Sequence, residues 1–150
     1  MTSTMTMRLI FSTVLVCAWA AGVAAADLPA TLVDPYLRIQ AALAFDKTTG
    51  VKQDATAIAQ AAAQAGATGR TLAGAALKLE RAGDLKAARA AFGELSDALI
   101  AHAKASGATT PTGVKQMFCP MVNKPWLQKG DAIKNPYYGS EMLDCGEVRK

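Results

Sequence analysis

A chain of 150 residues with 16 Lys and Arg against 12 Asp and Glu has the length of one small domain and a net charge of only +4. Its basic residues sit among acids, as in "KLERAGDLKAAR", so they form a solvated helix surface and not a nucleic-acid footprint. With a single histidine, no catalytic triad or His-rich metal centre assembles, and no enzyme activity is expected.

The chain opens with "MTSTMTMRLIFSTVLVCAWAAGVAAADLPA". Arg8 precedes an apolar run from Leu9 that ends in Ala24-Ala25-Ala26, the pattern of a secretory signal. It predicts cleavage after Ala26 and export to the periplasm. No second apolar run follows, so no membrane association is expected once the signal is removed. Cys17 is poorly placed for lipid attachment, because Val16 stands where a small residue is preferred.

Helical spacing governs the next stretch. Asp34-Pro35 reads as a helix start, with Tyr36, Ile39 and Leu43 on one face and Gly50 as the stop. A second helix is predicted over 52–65 and a third over 71–82, with "GATG" as the loop between them. The fourth begins after Asp84 and carries Leu85, Ala88, Phe92, Leu95, Leu99 and His102 at alternating steps of three and four, ending near Gly107. Persistent β-branched alternation is absent. The expected fold class is therefore all-α: a small up-down bundle of about four helices over 27–107. An irregular sulfur-rich segment, 108–150, packs on it as part of the same domain.

That last segment holds every methionine and cysteine of the expected mature chain: Met117, Cys119, Met121, Met142 and Cys145. Core-filling methionines would be spread along the helices, so their confinement to one segment calls for another cause. Pro120 biases Cys119 toward extended geometry, which would align Met117, Cys119 and Met121 in one row. Met142 and Cys145 are three apart, so one helical turn in "SEMLDCGE" would put them on one face. If the turn "NPYYG" folds the second piece onto the first, two thiols and two or three thioethers converge. Soft donors of this kind select Cu(I), and by extension Ag(I), over Mg, Ca or Mn, while zinc seldom takes thioether.

The candidate ligands are Cys119, Met121, Met142 and Cys145, with Met117 and His102 as further ones. A disulfide stays open beside this reading. A Cys119–Cys145 bridge would close a loop of about 27 residues and contribute about 3.5 kcal/mol in the chain-entropy model. The chain would then be a stapled structural or interaction protein without metal. A bridge does not account for the neighbouring methionines. Haem is disfavoured, because C-x-x-C-H is missing and no methionine lies in the predicted helices.

The runs "AAFGELSDALI", "FCPM", "WLQ" and "IKNPYYGSEMLDCGEV" resemble an uncharacterised periplasmic domain of helical-bundle type. That domain is found alone or fused to adaptor subunits of copper and silver efflux pumps. The resemblance implies copper or heavy-metal handling in the periplasm, with Cys119, Met121, Met142 and Cys145 as the metal residues. It implies a copper-resistance protein or an efflux adaptor as partner. No adaptor hairpin or barrel sequence accompanies the domain here, which leaves a soluble binder or carrier.

Overall fold

The computed structural model of the chain describes residues 25–149. The secretory signal expected over 1–26 lies outside these residues for nearly all its length, and so does Cys17. Among the described residues are four α-helices: α1 (Ala30–Ala44), α2 (Val51–Ala62), α3 (Gly66–Glu80) and α4 (Leu85–Ser106). Three strands follow, β1 (Val114–Cys119), β2 (Lys124–Lys129) and β3 (Glu147–Arg149), forming one antiparallel sheet in the order β2-β1-β3. None of these helices is long and apolar enough to cross a membrane.

The expectation of an all-α fold is corrected here: the segment after α4 is a sheet, and the domain mixes helices with strands. In β1, Met117 and Cys119 are buried while the residues between and before them are not, so the alternation that aligns the sulfurs is also a strand signal. Two features hide it. Its polar positions are Lys and Gln, which are poor strand formers, and β2 carries Pro125. The connection is a four-residue loop, Pro120 to Asn123, without an Asn-Gly pair. Asn123 supplies the left-handed residue at φ 52°.

The helices depart from expectation at their ends. α1 begins at Ala30, with Pro35 inside it. Proline there forfeits the hydrogen bond to the Thr31 carbonyl, but Leu32 and Val33 are buried by the extra turn and offset the loss. "GATG" is the first turn of α3 and not a loop. Gly69 makes this possible, since a Cβ there would run into the Ala62 carbonyl and Ala65. α4 matches its reading. The Asp84 side chain accepts from the Ala87 N–H at 2.7 Å, and Gly107 ends the helix at φ 68°.

Successive helices pack in chain order, α1 on α2, α2 on α3 and α3 on α4. β2 lies across α1 and α4 and closes the remaining side of the core. At the base, Leu28 donates its N–H to the Thr109 carbonyl at 2.8 Å, which ties the entry of α1 to the linker after α4. The sheet is thus a wall of the core and not an appendage.

Candidate metal centre

An aromatic chain joins sheet and helices. Tyr36 of α1 stacks on Phe92 of α4 at 5.0 Å, Phe92 meets Tyr137 at 5.9 Å, and Tyr137 meets Trp126 of β2 edge-on at 5.9 Å. The Tyr36 hydroxyl, fully buried, shares a 2.6 Å hydrogen bond with Ser96 and accepts from the Leu127 N–H at 3.1 Å. Burial raises the Tyr36 phenol well above its ordinary value, against the opposing effect of those two bonds. Tyr137 is raised as well, again chiefly by burial and then by the neighbouring Tyr36.

The segment "NPYYG" leads from this chain to the sulfur residues. Arg89 of α4 donates through Nε to the Pro136 carbonyl at 3.1 Å and pairs with Asp46. Asp46 also accepts from the Ser140 N–H at 3.3 Å. The Ser140 bond first, and Arg89 second, hold its carboxyl below the usual carboxylate range. Gly139 sits at φ 58° against this pair, where any Cβ would strike Asp46 and Arg89. The turn is therefore pinned to the helices by its backbone.

Each expected ligand can now be placed. Cys119 ends β1, is fully buried, and points to the same sheet face as Met117 and Trp126. Cys145 lies two residues before β3 and is half-buried. Pairing of β1 with β3, with Phe118 opposite Glu147, runs the stretch that holds Cys145 past the end of β1. A single side chain spans them: Asn135 Nδ2 donates to Cys119 Sγ at 3.3 Å and to the Cys145 carbonyl at 2.7 Å. Both thiols are free.

Met142, half-buried, is joined to Cys145 by a turn in which the Cys145 N–H donates to the Met142 carbonyl at 3.1 Å. The expected helical turn is absent: a β-turn spans Met142 to Cys145 after a short 3-10 segment, Gly139–Glu141. Met117 is a core residue directly opposite Trp126. Met121 is on the hairpin tip, 61% exposed, so the row expected to continue from Cys119 turns away at Pro120.

His102 stands apart from the sulfurs. Its Nδ1 is 3.0 Å from the Thr68 hydroxyl of α3. It follows Gly93, which touches Lys124 and Tyr137, by nine residues, about two and a half helical turns, so it looks out of the opposite side of α4. A core histidine with a satisfied ring nitrogen is the plain account of it.

Cys119, Cys145 and Met142 thus lie on segments joined through Asn135 and the turn before β3. Among the described residues no three His, Cys, Asp or Glu side chains come together. A groove of about 780 Å³ runs between α4 and the hairpin tip, lined by Leu85, Arg89, Gly93, Val122, Tyr137 and Tyr138 among others. Its volume suits a small organic ligand, but none of the sulfur residues and not His102 lines it, so it lends nothing to a haem site. The residue that sequence reasoning passed over is Asn135, read there only as turn chemistry. Comparison with family models, curated proteins and solved structures finds no match.

Proposed function

We propose that the protein binds Cu(I), and by extension Ag(I), at Cys119, Cys145 and Met142, with Met121 as an exposed accessory donor. The observation that supports this most is that one nitrogen, Asn135 Nδ2, donates to both the Cys119 sulfur and the Cys145 carbonyl, on residues 26 positions apart in sequence. A turn fixing Met142 to Cys145 adds a thioether on the half-buried side. Two thiolates and a thioether make a donor set that favours a soft monovalent ion.

The protein's task on this reading is to buffer copper or to pass it to a partner in an exported compartment. An efflux adaptor or another copper-resistance protein fits the resemblance of the "FCPM" and "NPYYG…MLDCGEV" runs. Thioether contacts to Cu(I) are individually weak, so exchange with an incoming donor allows transfer. The competing reading is a static Cys119–Cys145 staple.

Competition of the reduced protein against a chromophoric Cu(I) chelator tests the proposal. About one tightly held ion is expected, weakened in both Cys119→Ser and Met142→Leu. Wild type competing no better than the double Cys119→Ser, Cys145→Ser variant refutes it. A thiol count on protein purified without reductant separates a staple from ligands.

A further inference from the structure

The Asn135 side chain is fully buried and its hydrogen-bonding capacity is divided between two duties. Oδ1 accepts from the Tyr137 N–H at 2.8 Å and the Tyr138 N–H at 3.4 Å, which closes the turn that follows. Nδ2 spends its two protons on Cys119 Sγ and the Cys145 carbonyl. Its backbone is engaged too, donating to the Leu143 carbonyl at 2.6 Å and accepting from the Gly139 N–H at 3.1 Å. One residue therefore links the end of β1, the stretch before β3 and the turn between them.

We propose that Asn135 is the positioning residue of the sulfur site: its Nδ2 ties the Cys119 sulfur to the Cys145 backbone, so that the two cysteine-bearing segments are held together before any ion arrives. The inference rests on the soft-metal reading for its consequence, which is affinity, and on the hydrogen bonds alone for its cause. β3 is three residues long and exposed throughout, so strand pairing by itself anchors Cys145 weakly. Without the carboxamide, ordering of the Cys145 side falls on the binding step and lowers the affinity. The donor is also specific. Glutamine adds a methylene to a fully buried position, and aspartate matches the shape but offers oxygen where the sulfur and the carbonyl need a proton.

Asn135→Asp divides the two duties, because it keeps the Oδ1 acceptor and removes the Nδ2 donor. In the metal-free protein it is expected to speed modification of Cys119 by a thiol reagent about tenfold over wild type, through easier local opening. A role limited to closing the turn leaves that rate unchanged. Cu(I) affinity measured against the chelator is expected to fall about 10–100-fold, as for other groups that orient metal ligands.

Labelling at the wild-type rate together with wild-type affinity overturns the proposal. Should Cys119→Ser also bind Cu(I) like wild type, the soft-metal reading fails instead, and the labelling rates still decide what Asn135 does. Asn135→Ser, uncharged and smaller, takes the same measurements if the aspartate variant does not fold; wild-type labelling in that variant is equally fatal.

Discussion

Tyr36→Phe removes one oxygen from the junction between α1, α4 and β2, and its cost can be worked from the bonds that oxygen makes. β2 is an edge strand, and Leu127 sends its N–H away from β1 to the Tyr36 hydroxyl. Ser96 can turn its hydroxyl to the carbonyl one helical turn back, so its loss is small. Leu127 is 1% exposed and has no such alternative. A buried N–H left without a partner costs ~1–3 kcal/mol, so ~2 kcal/mol is expected, with a fall in Tm of roughly 6–10 °C for a domain of this size. Thermal and urea unfolding followed by far-UV circular dichroism measure it. Tyr138→Phe is the control, since that hydroxyl makes no hydrogen bond among the described residues. If Tyr36→Phe lies within ~0.5 kcal/mol of wild type, the hydroxyl is not what fastens the sheet to the helices.

Three further outcomes follow from the same structure. Gly146→Ala places a methyl 2.7 Å from the Trp126 ring, itself held by its Nε1–H to Gln128 at 3.0 Å. The variant is expected to lose ~1–3 kcal/mol by overpacking and, by displacing Cys145, to bind Cu(I) more weakly; unfolding and chelator competition check the two parts. Gly74→Ala sits in an exposed stretch of α3 with nothing within 4 Å of the new methyl, and is expected to stabilise by ~0.5–1 kcal/mol in urea titration. Tyr36 and Tyr137 both ionise later in the fold than in the unfolded chain. Their contribution is complete below the ordinary tyrosine value of about 10 and declines as pH rises beyond it. Urea midpoints should fall steeply above that pH, and tyrosinate absorbance from the buried pair should appear only with unfolding.

The helices were largely legible because each buries one stripe at a period the sequence displays. α4 is the clearest case: its cap, its seam from Leu85 to His102 and its closing glycine all lie where the pattern puts them. What the pattern could not reveal was tertiary in origin. Pro35 reads as a helix start because its ring fits the first turn best, yet burial of Leu32 and Val33 carries α1 past it. "GATG" reads as a loop because glycine is a breaker, yet Gly69 is there for close packing on Ala62. The sheet was hidden since β1 and β2 draw their stability from Trp126, Leu127 and Tyr137 across the chain and not from local propensity.

The same distinction explains which half of the sulfur site could be anticipated. The spacing of Met142 and Cys145 is local, and any tight turn between them keeps them together. Meeting Cys119 is a long-range event that needs β3 to pair with β1 and Asn135 to reach both sides. Those two requirements make the site asymmetric. Cys119 is locked in the core at the end of a six-residue strand, while Cys145 and Met142 ride on a turn beside an exposed three-residue strand. On the soft-metal reading, the ion is then anchored on the Cys119 side and released from the Met142 side. Met142→Leu is expected to speed transfer of Cu(I) to a chelator more than it lowers equilibrium affinity, whereas Cys119→Ser lowers affinity first. Stopped-flow transfer rates set beside equilibrium competition decide it, and equal effects of the two variants on both quantities would remove the asymmetry.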